Sequence, residues 1–291
     1  MVRVAVGNAR ATPRACGRGL KLAAPHGAST AMFGRLLRLV ALLVAAFAQP
    51  VFAHEAADAE DTIARVKQSI VAVGTFQQAR APSFLFRATG FVIGDGTLVA
   101  TNAHVLPERM NLERQEHIAI LVPGHAEQGR LQVRRATVVA TDVARDLAVL
   151  KIEGRALPAV VLGDSAQVRE GRSVYFTGFP IGAVLGAHPV THRGLVASIS
   201  PIAIPQRNAS DLNPRVLRRL TEGTFPIFQL DATAYPGNSG SPVYEAAGGA
   251  VIGIVNMVMV RATKESLLAQ PSGITYAIPV VHLRDLLATI R

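Results

Sequence analysis

From Ser69 onward, short apolar runs rich in β-branched residues alternate with polar turns, and their lengths are those of strands rather than helices. The first set is Ile70–Phe76, Ala88–Ile93, Thr97–Thr101, Ile118–Val122, Gln132–Thr141 and Leu147–Ile152, with Gly94-Asp95-Gly96 as a hairpin turn. A connector over residues 159–172, with a turn at Gly163-Asp164-Ser165, leads to a second set. Its runs are Ser173–Gly178, Pro189–Ile199, Phe225–Leu230, Pro242–Glu245, Ala250–Met257 and Gly273–Ile278, and Gly248-Gly249 closes one hairpin. Six strands suffice to close a barrel. The pattern therefore predicts an all-β fold of two packed six-stranded antiparallel barrels, over about 69–158 and about 170–280.

Two segments carry the helical period instead. Asp58–Gln68 places Ile63, Val66 and Ile70 on one side, with acids in its first turn where the helix dipole favours them. Val281–Ile290 is a short amphipathic closing helix. Met32–Ala53 has the layout of a secretory signal: Arg35 and Arg38 at the start, an apolar centre over Leu39–Ala48, and Val51-Phe52-Ala53 before a cut. The apolar run is short of the roughly 20 residues of a membrane span. The expected product is 54–291, exported to the periplasm or secreted, with no stable membrane anchor once the signal is removed. Residues 1–31 belong to neither feature; an upstream start codon, with Met32 as the natural start, would account for them.

Charge changes this picture little. The formal net charge of +10 would suit a nucleic-acid or membrane-surface partner. Residues 1–53, however, hold seven Lys/Arg and no acid, leaving 23 Lys/Arg against 20 Asp/Glu, or +3, in the rest. No nucleic-acid partner is expected. Cys16, the sole cysteine, lies in the same leading stretch, so the 54–291 product can form no internal disulfide. His188 and His192 are four apart in an expected strand and are joined by no carboxylate or cysteine cluster, so neither a metal nor another cofactor is expected.

The candidate chemistry lies in Tyr235-Pro236-Gly237-Asn238-Ser239-Gly240-Ser241-Pro242, a polar turn between two apolar runs. Pro, Gly, Asn and Ser are also ordinary turn residues, so the octapeptide alone reads equally as a surface turn. A nucleophilic serine needs a base to take its proton and amides to hold the developing oxyanion. Gly237, free to adopt backbone angles closed to other residues, can aim its N–H with that of Ser239 into one pocket. His104 and Asp146 supply the base and its partner, each at the edge of a strand-like run. The order His, Asp, Ser is that of the chymotrypsin-like proteases.

On these residues the chain resembles the trypsin-like serine peptidases, and among them the HtrA/Deg proteases. The matching stretches are Thr89-Gly90-Phe91-Val92-Ile93, Thr101-Asn102-Ala103-His104-Val105, Asp146-Leu147-Ala148-Val149-Leu150, Gly237-Asn238-Ser239-Gly240 and Tyr276-Ala277-Ile278-Pro279. The resemblance implies a chymotrypsin-like fold with the site in the cleft between the barrels, and hydrolysis of peptide bonds, mainly in unfolded or damaged proteins. It implies His104, Asp146 and Ser239 as catalytic residues and the turn Gly237, Asn238, Ser239 as the oxyanion hole, Asn238 contributing mainly backbone geometry. Many trypsin-like zymogens carry an aspartate where this chain has Asn238, so activation by its ion pair with a new amino terminus is not expected. HtrA proteins usually continue into a peptide-binding PDZ domain, which is not expected after Ile290, and they are often trimers, which leaves an oligomer open here.

By family position the specificity pocket falls on Thr233, Val255, Asn256 and Met257. No acid occupies these places, so a basic side chain would be buried without a counter-charge. The staphylococcal glutamyl endopeptidases, which share Gly-Asn-Ser-Gly-Ser-Pro, carry a histidine where this chain has Val255. The expected preference is therefore for small to medium aliphatic residues, with Val255–Met257 offering backbone to an extended substrate as an added strand. A second class stays open: a binding or chaperone-like module on the protease fold, holding unfolded chains with little turnover. The three-residue constellation argues against it, since such a module needs none of the three.

Overall fold

The computed structural model describes residues 50–123, 132–182, 188–201, 225–256 and 273–290, with side chains described from residue 59 on. Met1–Val51 and Phe52–Arg291 form separate units. The expected signal centre Leu39–Ala48 and the segments 202–224 and 257–272 lie outside the described residues. No helix among the described residues is long and apolar enough to cross a membrane.

Helix α1 (Pro50–Lys67) leads into six strands: β1 (Ile70–Phe76), β2 (Phe84–Ile93), β3 (Leu98–Thr101), β4 (His117–Val122), β5 (Gln132–Asp142) and β6 (Leu147–Ile152). They close into a barrel in the order β1-β2-β3-β6-β5-β4. The second barrel is built from β7 (Ser173–Gly178), β8 (Val190–Pro201), β9 (Pro226–Asp231), β10 (Pro242–Glu245), β11 (Val251–Val255) and β12 (Ile274–Pro279), in the order β10-β11-β12-β9-β8-β7, and helix α2 (Val281–Ala288) follows it. Every named pairing is antiparallel. The fold is all-β and chymotrypsin-like.

Two departures from the pattern have local causes. Strand β2 begins at Phe84, four residues before the expected Ala88, because Phe84 and Leu85 pair with Phe76 and Thr75. Phe84–Arg87, which the apolar pattern leaves outside any run, thus belongs to the ladder. Strand β11 stops at Val255 rather than Met257, and the backbone of Asn256 donates to the Tyr276 carbonyl.

Strand β1 is buried on both faces, which explains its unbroken apolar run. Val71 and Val73 join Val92, Val99, Ile120 and Leu150 in the interior of the first barrel. Ile70 and Ala72 point the other way, joining Phe91, Phe179, Ile254 and Ile278 in a core shared by both barrels. Phe176, Phe228, Leu230 and Ile252 fill the second barrel. Helix α1 bridges the two. It runs into β1 of the first barrel while its Thr62 and Val66 pack on Gly249 in the β10–β11 turn of the second. Arg65 Nη2 donates to the Gly248 carbonyl beside them, at 3.0 Å. The core shared by Phe91, Phe179, Ile254 and Ile278 joins the two barrels.

Candidate active site

His104 lies in a 3-10 turn, Ala103–Val105, directly after β3, and Asp146 directly before β6. Since β3 and β6 are hydrogen-bonded neighbours, with Thr101 opposite Ala148, the ladder brings the two together across 42 positions of sequence. Asp146 takes a left-handed backbone, φ 56, a conformation Asp tolerates better than most residues. Its carbonyl accepts from the Asn102 side chain at 3.0 Å and from the Ala103 amide at 3.2 Å. Its carboxylate is 5% exposed as part of the residue and is fully engaged. Oδ1 accepts from the His104 amide at 2.8 Å; Oδ2 accepts from His104 Nδ1 at 2.6 Å and from Asn256 Nδ2 at 2.8 Å.

That carboxylate places the imidazole proton on Nδ1 and leaves Nε2 as an acceptor. Ser239 Oγ lies 3.2 Å from Nε2 and can donate its hydroxyl proton there. Ser239 comes from the β9–β10 connection of the second barrel, so Asp146, His104 and Ser239 form one hydrogen-bonded row from the first barrel to the second.

The nucleophile turn is held from both sides. Asn238 N–H donates to the Tyr235 carbonyl at 2.9 Å and Ser241 N–H to the Asn238 carbonyl at 3.0 Å. Of the three residues read as the oxyanion hole, Asn238 has its amide committed within the turn. The N–H groups of Gly237 and Ser239 donate to no acceptor among the described residues. Gly237 has φ 104, outside the range of L-residues, so the sequence needs glycine there.

Thr89 in β2 reaches this turn from the first barrel. Its N–H donates to the Ser239 carbonyl at 2.9 Å and its hydroxyl to the Gly237 carbonyl at 2.7 Å, while the same hydroxyl accepts from the Phe179 amide at 3.0 Å. Neither Thr89 nor Asn102 stands out in the sequence as a supporting residue. The only local signal is a polar side chain within an otherwise apolar strand run.

The residues read as a specificity pocket separate into three groups. Thr233 is half-buried between buried Ala232 and Ala234, before the nucleophile turn. Val255 and Asn256 are fully buried, and the expectation of an added strand on Val255 is corrected by its bonding. Its N–H already donates to the Ser241 carbonyl and its carbonyl accepts from Gly240, both at 2.9 Å. Asn256 turns its side chain to Asp146 rather than into a side-chain pocket. Met257 lies outside the described residues.

The family model of the trypsin-like peptidase domain matches residues 88–254, and the chain belongs to that family. It is 28% identical over 205 residues to a probable periplasmic serine endoprotease, DegP-like, of Pseudomonas putida (strain GB-1), covering 70% of this chain and 36% of that protein. It is 31% identical over 234 residues to serine protease HTR4 of Bos taurus, covering 78% of this chain and 40% of that protein. The chain thus spans between about a third and two fifths of the length of these curated relatives. Among solved structures, that of Deg5 superposes with a TM-score of 0.54 at 24% identity, over 79% of this chain and 92% of the other. The HtrA-type protease AlgW with a tripeptide gives a TM-score of 0.54 at 24% identity, over 80% and 63%. These superpositions define the shared fold.

Proposed function

We propose that this protein is an exported serine endopeptidase that hydrolyses peptide bonds in unfolded or damaged polypeptides. One observation carries the reading: the row Asp146–His104–Ser239, with distances of 2.6 and 3.2 Å, beside two amides that donate to nothing among the described residues. Ser239 Oγ attacks the carbonyl carbon of the scissile bond as His104 Nε2 takes the hydroxyl proton. The carbonyl oxygen becomes an oxyanion, held by the N–H groups of Gly237 and Ser239. Collapse breaks the C–N bond, and His104 returns its proton to the leaving amine. Water then attacks the ester, giving its proton to His104, and the second collapse releases the acid and restores the Ser239 hydroxyl. Asp146 holds a proton on Nδ1 throughout, so that Nε2 is the nitrogen that takes and returns protons.

The periplasmic description of the Pseudomonas putida relative supports export, as does the signal layout before His54. No acid stands at the position of Thr233 itself, which favours small to medium aliphatic side chains over basic ones before the cut. A folded substrate rarely presents an extended strand to a cleft, so unfolded chains are the substrate class.

The test is mass-spectrometric mapping of cleavages in a denatured protein, comparing the exported product with its Ser239→Ala form. Cuts after Val, Ala, Ile and Leu should dominate and vanish in Ser239→Ala. His104→Ala should lose as much, and the double variant should be little worse than either single one, because the residues act as a unit. Equal turnover by Ser239→Ala refutes the mechanism; cuts dominated by Arg, Lys or Glu refute the pocket.

A further inference from the structure

Helix α2 packs against β5, β6 and β12, and one of its inward side chains is a histidine that the hydrolytic row does not use. His282 is 9% exposed, and both of its ring nitrogens are buried with no hydrogen-bond partner. Its ring stands edge-on to Phe225, with centroids 4.9 Å apart and planes at 73°. Arg145 reaches the same aromatic ring, its Cζ 6.0 Å from the centre. Buried polar groups are ordinarily bonded, so a place that offers this imidazole no acceptor suits only its neutral form.

Arg145 directly precedes Asp146 at the tip of the β5–β6 hairpin, where Asp142 pairs with Leu147. Its N–H donates to Asp142 Oδ1 and its Nη1 to Asp142 Oδ2, both at 2.9 Å, so one carboxylate clasps the tip through backbone and side chain together. Asp146 follows at φ 56, a conformation that the surrounding structure has to hold. The charged groups that bear on His282 are Arg145 and Asp142 from this hairpin and Asp285 from α2 itself. Asp285 Oδ2 is 3.9 Å from Nδ1, beyond hydrogen-bond reach, and its side chain is largely exposed. Arg284 of α2 is turned to the carbonyls of Leu162 and Gly163. Arg134 and Arg135 stand at the other end of β5, Lys151 of β6 acts on Asp95, and β12 carries no charge.

We propose that Arg145 is a positioning residue for Asp146 and that a proton on His282 displaces it, loosening the hairpin tip and lowering turnover in acid medium. An imidazolium in this place needs an acceptor, and the part-buried carboxylate beside it is the one that Arg145 holds. Two cations against that one carboxylate repel, and Arg145, whose side chain is 40% exposed, is the one that can turn to water. Burial and the Arg145 charge hold the closed form of His282 below the usual histidine range. The released form therefore binds the proton more readily than the closed form, and acid favours release. This rests on the peptidase reading, and it adds a second inactivating proton to the one that His104 takes as the base.

The experiment uses the full chain, exported and processed by its host, in wild-type, His282→Phe, Arg145→Met and Ser239→Ala forms. kcat/KM on an uncharged chromogenic peptide is measured from about pH 8 to about pH 5 at constant ionic strength, with circular dichroism at each pH. In wild type the logarithm of kcat/KM should fall with a slope of about one as His104 takes its proton, and steepen towards about two below pH about 6 as His282 takes the second. His282→Phe keeps a ring against Phe225 and takes no proton. It should match wild type within about twofold near pH 7.5, hold the single slope, and exceed wild type by about three- to tenfold near pH 5. Arg145→Met should lower kcat about three- to tenfold near pH 7.5 with KM nearly unchanged, and should also lose the steepening. Amide exchange of the peptide carrying Val143–Asp146, corrected for its intrinsic pH dependence, should quicken in acid in wild type and not in His282→Phe. If Ser239→Ala turns over as fast as wild type, the peptidase reading itself fails. If turnover needs Ser239 but wild type and His282→Phe share one slope, or the acid loss coincides with unfolding, the release is overturned. Should His282→Phe fail to fold, the other forms decide, because a single slope in wild type or a steepening kept in Arg145→Met overturns it as well.

Discussion

Replacing Thr89 by valine keeps the shape of the side chain and removes one hydroxyl that makes two bonds. The Phe179 amide, in a residue 1% exposed, loses its acceptor and has no water to turn to. Leaving one such donor unpaired costs about 1–3 kcal/mol. The Gly237 carbonyl loses its donor at 2.7 Å in a half-buried position, where partial hydration limits the loss to about 1 kcal/mol. Thr89→Val should therefore destabilise the fold by about 2–4 kcal/mol, a large part of the 5–15 kcal/mol typical of a domain. Thr89→Ser keeps both bonds and loses one buried methyl, at about 1 kcal/mol. Activity should separate the two further. The Gly237 peptide is freed on one side in the valine form, and about 1.4 kcal/mol of lost oxyanion alignment is a tenfold fall in kcat. Urea unfolding monitored by circular dichroism gives the first quantity and initial rates on a peptide substrate give the second. A valine variant within about 0.5 kcal/mol of wild type, with unchanged kcat, would show that the hydroxyl does not hold the nucleophile turn.

Two further outcomes follow from the same geometry. Gly237→Ala puts a Cβ 2.3 Å from the Phe179 carbonyl oxygen at φ 104, so kcat should fall by roughly a hundredfold or more while circular dichroism still reports a β fold; near-normal kcat would refute the assigned amide. Burial holds His192, stacked on Phe176 at 4.7 Å, below the usual histidine range, and burial together with the nearby Arg145 charge does the same for His282, against the opposing pull of Asp285 and Asp142. A base kept neutral in the fold binds its proton more readily when unfolded, so this stability is complete above pH about 6.5 and is lost as pH falls towards the depressed folded values. Tm should decline from pH 6.5 to 5 in wild type and decline less in a His192→Phe/His282→Phe double variant; equal slopes would refute the assignment.

The strands were legible because each is an apolar run bounded by turn chemistry, and burial on both faces, as in β1, only lengthens the run. Phe84–Arg87 was not legible as strand, since what makes it one is pairing with Thr75 and Phe76 across a turn rich in Ala, Pro and Ser. In the site, His104, Asp146 and Ser239 could be read because each sits at a strand edge beside its own short motif. Their supports could not be read. Thr89 and Gly237 are 148 residues apart and meet only after both barrels have closed in register.

Asn256 illustrates the same limit in reverse. Family position placed it on a pocket wall, but side chains alternate along a strand, and just past the end of β11 this one turns to Asp146. Ile181 goes further, because its observed backbone, at φ 49, contradicts what a β-branched residue prefers locally. Local preference reads a chain well wherever local and global demands agree, and it fails where the fold overrides a residue to serve a site. The conflict at Ile181 falls beside the amide of Gly237, and the positive φ of Asp146 falls on the partner of His104. The places where the sequence misleads are therefore concentrated around the row of residues that it names most clearly.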